Sequence, residues 1–211
     1  MSLPAELQHA LEAARSTLET HPRGELPRTS RMRVLAALGP RSRSPEGHPS
    51  GIGYRRRLAA DEACVRRVLP LWDSAHPDDD GPRRMLALAD EVARGAVDPA
   101  EGQRLMDQFS AQVEALDPDA EGFVPGYVGD AAVQTVSTAL SDYDLDPTDE
   151  RLDEDLDPDE LDAPFYAAVA VTGVGPHEPG DDAANHQRRR DFWRWYLDEA
   201  VPTAYANPVP E

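Results

Sequence analysis

Hydrophobic residues recur along most of the chain at the three- and four-residue spacing of an amphipathic helix. The first stripe predicts a helix that ends near Thr20, and a longer stripe runs from Leu58 to Trp72. Further stripes predict helices over about 30–38, 82–94, 98–116, 128–143, 157–169 and 185–200. Strictly alternating runs, which would indicate strands, are nearly absent. The pattern predicts an all-α fold, an irregular bundle of about seven to eight helices with long acidic and Pro/Gly-rich loops.

Two tetrapeptides carry the signals of a helix start. In DPAE at 98–101 the Asp fits the N-cap, the Pro fits the first helical position and the Glu fits the third. DPDE at 157–160 repeats the same order. We therefore expect one helix to begin at Asp98 and another at Asp157.

The chain has the length of one ordinary domain, 211 residues. Segment 39–53, GPRSRSPEGHPSGIG, is dense in Gly, Pro and Ser, and segment 142–156 is dense in Asp. Such compositions are typical of connections between helices. We predict a single all-α domain over 1–211, in which 39–53 and 142–156 are flexible loops.

The net charge of −19 is distributed unevenly. Up to Arg67 there are twelve Arg and seven acidic residues, whereas 68–187 holds five Arg and twenty-nine acidic residues. A field of this sign attracts basic partners and repels phosphate backbones and anionic membranes. The charge therefore predicts a basic protein partner, and neither nucleic acid nor a membrane. Solubility or adaptation to salt is the alternative explanation.

Motifs for catalysis, metal binding or cofactor binding are missing from the sequence. It contains no GxSxG, P-loop or GxGxxG motif, and its six His form no cluster with one another or with the single cysteine, Cys64. Cys64 stands among apolar helical positions and is expected to be buried. No segment has the pattern of a signal peptide or a membrane span. We expect a cytoplasmic protein that is not an enzyme and uses no cofactor or metal.

The segment 142–162 holds twelve carboxylates and one Arg. Four aspartates stand at positions 1, 3, 5 and 12 of an EF-hand spacing: Asp142, Asp144, Asp146 and Asp153. Pro147 stands where that loop needs Gly, and Asp at the last position is short for bidentate ligation, so a partner-facing or solvated acidic loop is favoured. Binding of calcium or another cation is the alternative. The predicted partner-binding residues are Asp142, Asp144, Asp146, Asp153, Glu154, Asp155 and Asp157.

A basic and aromatic stretch, RRRDFWRWYL, lies at 188–197. Interleaved Arg and aromatic residues can bind nucleic acid by stacking and phosphate contacts. On a helix, however, Trp193 and Trp195 point to different sides, and Trp193 with Tyr196 continues an apolar stripe. We therefore interpret the stretch as core packing, with its arginines paired to the protein's own acids. The predicted structural anchors are Trp72, Phe192, Trp193 and Tyr196, with Trp195 more exposed.

Two blocks of the sequence resemble a known family. The first contains RLA at 57–59, CV at 64–65, VLPLW at 68–72 and the break HPDDDGP; the second contains LDA at 161–163, FYAA at 165–168 and RRDFWRWYL at 189–197. Together they resemble the Imm5-type immunity proteins of bacterial polymorphic toxin systems. The resemblance implies an all-α cytoplasmic protein that protects its producer by binding a cognate toxin domain.

The resemblance and the charge together predict an immunity protein that binds and neutralises a cognate bacterial toxin domain. A toxin that cuts nucleic acid usually has a basic cleft, which an acidic surface can occupy in place of phosphates. The predicted mechanism is occlusion of that basic active-site cleft. The alternative is a small acidic helical protein that binds calcium or another cation through 142–162.

Overall fold

The regular secondary structure of the described residues is almost entirely helical. The computed structural model describes residues 3–117, 122–146, 149–176 and 178–210. The helices within these ranges are α1 Ala5–Thr20, α2 Arg28–Ala37, α3 Gly51–Ala75, α4 Gly81–Ala93, α5 Pro99–Glu114, α6 Val124–Ser141, α7 Ala163–Thr172 and α8, which runs over Ala183–Trp195 and continues through a π-helical turn, Tyr196–Ala200, into Val201–Ala206. The predicted all-α bundle is confirmed.

A short β-hairpin lies inside the segment predicted to be a flexible loop, 39–53. Strand β1, Ser42–Arg43, pairs antiparallel with β2, Pro49–Ser50, and α3 follows directly. The amide of Ser44 donates to the carbonyl of His48 at 2.8 Å and closes the turn. A pair of two-residue strands is too short to produce an alternating apolar pattern, which is why hydrophobicity gave no sign of it.

Helix α6 lies at the centre of the bundle and packs against α3, α4, α5 and α7. Its almost fully buried positions are small: Val128, Ala131, Ala132, Val136 and Ala139. Gly129 allows α5 to come close, because a Cβ at this position would lie 2.4 Å from a methyl group of Val113. Four neighbouring helices can therefore share one helix as their common contact.

The helix predicted to begin at Asp157 begins later, so this prediction is wrong. The tetrapeptide forms a single 3₁₀ turn, Pro158–Glu160, and α7 begins at Ala163 after its N-cap, Asp162. Pro164 explains the difference, because it fits the first turn of a helix that begins at Ala163. In a helix begun at 157 it would be interior and would cost about 3 kcal/mol.

The predicted aromatic anchors are buried. The exposed fraction is at most 3% for each of the four residues, Trp72, Phe192, Trp193 and Tyr196. Trp195 is only partly buried, and the guanidinium carbon of Arg67 lies 5.1 Å from its ring centroid. The predicted difference between Trp193 and Trp195 is therefore confirmed.

Two further local predictions are confirmed. The carboxylate of Asp98 caps α5 by accepting a hydrogen bond from the amide of Ala100 at 2.9 Å. Cys64 is buried. None of the helices in the described ranges is long and apolar enough to cross a membrane.

Candidate partner-binding surface

The segment 142–162, called the acidic arm below, connects α6 to α7 and is attached to α2 and α3. It contains the 3₁₀ turns Asp153–Asp155 and Pro158–Glu160, and its residues 147–148 lie outside the described part of the chain. Arginines of α2 and α3 contact four of its described aspartates: Asp142, Asp149, Asp153 and Asp162. Each end of the arm and its middle are therefore tied to the helical body.

Arg57 of α3 holds the beginning of the arm. Its Nε and Nη2 donate to the two carboxylate oxygens of Asp142, each at 2.7 Å, and its Nη1 donates to the carbonyl of Gly39 at 2.8 Å. The Arg57 side chain is fully buried, and only 3% of the Asp142 side chain is exposed. This carboxylate, one of the predicted partner-binding residues, is therefore used inside the protein.

Arg31 of α2 is fully buried beneath the middle and the end of the arm. Its Nε donates to Asp162 at 2.8 Å, and its Nη1 donates to Asp153 at 3.0 Å. The ring centroids of Phe165 and Trp193 lie 5.4 and 5.6 Å from the guanidinium carbon. One arginine thus fixes two points of the arm and contacts the aromatic core.

A further buried arginine, Arg189 of α8, extends this charged cluster. Its Nη2 donates to Asp181 at 3.0 Å, and its Nε lies 3.4 Å from a carboxylate oxygen of Glu25. Glu25 also lies 3.9 Å from Arg31, and its burial raises its pKa to about 8. The interpretation of the basic and aromatic stretch as internal packing and pairing is confirmed for Arg189.

The outer side of the arm carries the remaining predicted partner-binding residues. Asp144 pairs with Arg41 at an exposed site, 3.2 Å apart, and Asp146 is exposed. Three more acids are exposed and make no ion pair with any described residue: Glu154, Asp155 and Asp157. The predicted set therefore divides into two members held by internal arginines and five that face solvent.

A groove of about 440 Å³ lies between the arm, α2, α6, α7 and the loop that precedes α8. Its apolar lining comes from Tyr127, Leu152, Leu161, Phe165, Tyr166 and Val169. Charged side chains that also line it are Glu25, Arg28, Arg151, Asp153, Glu154 and Glu178. An apolar groove with a few polar groups is a common form of binding site.

The arm and the groove both lie within a region that matches a known protein family. The sequence model of immunity protein Imm5 matches residues 11–203, a span that contains both of them. The chain belongs to the Imm5 family. The resemblance found in the two sequence blocks is therefore confirmed. No curated protein sequence matches the chain.

Membership of this family indicates the class of function. An Imm5 protein is an immunity protein, so its role is protection against a toxin and the partner this implies is that toxin. Immunity proteins are generally not enzymes. The arm and the groove are therefore candidate surfaces for recognising a protein.

The EF-hand-like spacing is used differently in this Imm5 protein. Asp142 and Asp153, the first and last aspartates of the spacing, accept hydrogen bonds from Arg57 and Arg31. Across the part of the chain that the structure describes, no group of three or more His, Cys, Asp or Glu could hold a metal ion. Pro147, on which the sequence argument also rested, lies outside that part.

Sequence reasoning missed the arginines that hold the arm and the aromatic lining of the groove. Arg31 and Arg57 stand at buried positions of amphipathic helices, and a charge at a core position predicts a buried partner of opposite sign. That signal was present in the sequence. The identity of the partners was not, because Asp142 lies 85 residues from Arg57 and Asp153 lies 122 residues from Arg31.

Proposed function

We propose that this Imm5 protein acts in the cytoplasm of its producer, where it binds the cognate toxin domain of a polymorphic toxin system. The exposed carboxylates of the acidic arm enter a basic active-site cleft and exclude the toxin's substrate. The action is binding and not catalysis, it uses no cofactor or metal, and neither nucleic acid nor a membrane is the partner. Family membership supports the toxin as partner, and the charge supports its basic character.

The observation that carries the proposal is the division of the arm into two sides. On the inner side, Arg31 and Arg57 fix aspartates at the middle and the ends of the arm. On the outer side, Glu154, Asp155 and Asp157 are exposed and pair with no described cation. Charged groups on a segment that is already held in place lose little conformational entropy when they bind. The arm can therefore present its acids as a fixed surface.

The charge of the whole molecule adds a kinetic effect. A net charge of −19 attracts a basic domain from a distance, and steering of this kind raises association rates by about 10- to 1,000-fold at low salt. The effect fades as salt shortens the screening length, whereas closely packed contacts mainly set the dissociation rate. Association kinetics at several salt concentrations therefore report on the arm.

Removing the outward charges of the arm should slow association. We expect the triple variant Glu154→Gln, Asp155→Asn, Asp157→Asn to bind the toxin domain encoded by the adjacent gene on the order of tenfold more slowly at low salt. Near 1 M salt, its rate should approach that of the unchanged protein. Stopped-flow mixing or surface binding measures both rates. Asp153 is kept, because it pairs with buried Arg31.

A matched control removes three exposed acids outside the arm: Glu6→Gln, Glu12→Gln and Asp107→Asn. The control has the same net charge as the arm variant and should slow association much less. Equal rates for the two variants would show that only total charge matters and that the arm is not at the interface. Absence of binding by the unchanged protein would refute the immunity function for that toxin.

A further inference from the structure

Two of the four large hydrophobic side chains that are exposed in the described ranges lie at the groove. Leu152, 53% exposed, lines it, and Phe123, 60% exposed, stacks on Tyr127 with 6.4 Å between ring centroids. The other two, Ile52 and Leu71, belong to α3 and are less exposed, 39% and 37%. Apolar surface that continues from a groove onto exposed side chains is typical of a protein–protein contact.

Leu152 is exposed but held in place through both of its neighbours. Arg151 donates to Glu160 at 2.7 Å, and Asp153 accepts from buried Arg31 at 3.0 Å. The arm wall of the groove is therefore formed before any partner arrives. A preformed apolar site binds with a smaller ordering cost than one that must be assembled.

The charged side chains at the groove indicate which residues of a partner should lie beside an apolar side chain that enters it. Its two arginines, Arg28 and Arg151, are both paired with Asp149, at 2.7 and 3.1 Å. Glu154 and Glu178 also line the groove and make no ion pair with a described residue. The charge left for a partner is therefore negative, which favours Arg or Lys beside the anchor. A second copy of this chain is a poor occupant, since each copy carries −19.

We propose that the groove receives an apolar side chain of the toxin domain, carried on a segment in which the neighbouring residues are Arg or Lys. The inference rests on the proposed function and names how the same partner is held. The groove volume of about 440 Å³ lies within the roughly 300–1,000 Å³ typical of binding pockets. The outer acids of the arm speed the encounter before they enter the cleft, and the groove lengthens the lifetime of the complex.

Shortening Leu152 should weaken the complex through its dissociation rate. We expect Leu152→Ala to raise that rate roughly tenfold or more, at low salt and near 1 M salt alike, with little change in association. Leu71→Ala is the matched control, because it truncates another exposed leucine, on α3, and should leave both rates unchanged. Surface binding with the purified toxin domain measures the rates, and circular dichroism verifies that both variants remain helical.

The outcomes separate this inference from the proposed function. Slower association of the triple arm variant, with unchanged dissociation of Leu152→Ala, would overturn the groove as docking site and leave the acidic arm in place. Hydrogen exchange on the unchanged complex needs no substitution, and we expect added protection on the groove wall opposite the arm, at the amides of Phe123 and Gly175. Protection confined to other segments would also overturn the inference. Failure of the unchanged pair to bind would overturn both proposals for that toxin.

Discussion

At the scale of single residues, the Imm5 protein encloses three arginines in its interior. Each of these side chains is fully buried and pairs with an aspartate that is at most 5% exposed. The pairs are Arg31 with Asp162, Arg57 with Asp142 and Arg189 with Asp181. A buried ion pair is not strong evidence for stability, because the desolvation of both charges offsets their attraction. Removing one partner is different, since the other charge is then buried alone.

The first prediction concerns Arg31. Arg31→Met replaces the guanidinium by an apolar side chain and leaves Asp153 and Asp162 without their cation, so the free energy of unfolding should fall by about 3–5 kcal/mol. Arg15→Met is the control, because Arg15 pairs with Asp198 at an exposed site and should contribute at most about 1 kcal/mol. Urea denaturation followed by circular dichroism measures both, and equal losses would contradict the prediction.

The second prediction concerns the pH dependence caused by Glu25. Burial raises its pKa from 4.5 to about 8, although Arg31 and Arg189 act in the opposite direction. Between these values the unfolded chain loses the proton and the folded protein keeps it, so this group stabilises the fold less as pH rises. The difference in unfolding free energy between the unchanged protein and Glu25→Gln should fall by roughly 1–3 kcal/mol from about pH 5 to pH 8.

Glu19 supplies a control of opposite sign for this experiment. The hydrogen bond from Arg194 lowers the pKa of Glu19 at an exposed site. The unfolding free energy of the unchanged protein, relative to that of Glu19→Gln, should therefore increase as pH rises through the acidic range. If the difference in unfolding free energy between the unchanged protein and Glu25→Gln does not change with pH, Glu25 ionises in the folded protein as readily as in the unfolded chain.

At the scale of elements, close packing around α6 governs how the helices meet. Its small buried residues let α3, α4, α5 and α7 approach one helix from several sides. Two glycines on α6 differ in their surroundings. A Cβ on Gly129 would lie 2.4 Å from Val113 of α5, whereas one on Gly126 would have no other atom within 4 Å. A substitution at Gly126 therefore tests helix propensity alone, whereas one at Gly129 also tests the packing of α5 against α6.

Alanine at these two glycines should change stability in opposite directions. Gly129→Ala should destabilise the fold by about 1–3 kcal/mol, because the new methyl group forces α5 and α6 apart. Gly126→Ala should be neutral or stabilise it by up to about 1 kcal/mol, because alanine is favoured over glycine in a helix. Denaturant titration compares them, and a stabilising Gly129→Ala would show that Val113 can move away without loss.

At the scale of the whole molecule, the uneven charge of the chain is partly neutralised inside the fold. Arg28, Arg31 and Arg57 belong to the basic N-terminal part, and all three pair with aspartates of the acidic arm. The basic N-terminal part and the acidic arm therefore contact each other through ion pairs. Glu154, Asp155 and Asp157 of the arm, which pair with no described cation, lie on the outside.

Folding of the whole molecule should need neither metal nor disulfide. The chain has one cysteine, and Asp142 and Asp153 are already occupied by arginines. We expect the same helical far-UV circular dichroism spectrum in EDTA with reductant as in millimolar calcium. Calorimetry that found a tight calcium site, lost in Asp144→Asn, would instead support the cation-binding alternative.

The sequence by itself determined most of the helices and the faces that they bury, although not the start of α7. The stripe from Leu58 to Trp72 and the stripe that includes Trp193 and Tyr196 follow from local spacing, and these residues are buried in the fold. The cap at Asp98 is equally local, since it depends on an amide two residues away. Signals of this range can be read along the chain before any tertiary contact is known.

Only the tertiary structure decided which acids of the arm are internal and which face solvent. Twelve carboxylates within 142–162 are nearly equivalent as sequence. Asp142 became structural because the fold brings Arg57 to within 2.7 Å of it, and Asp153 because α2 places Arg31 beneath it. Glu154, next along the chain, is exposed. Ionic attraction depends on distance in space. Residues that are 85 and 122 positions apart in the sequence come close together only after the helices have packed.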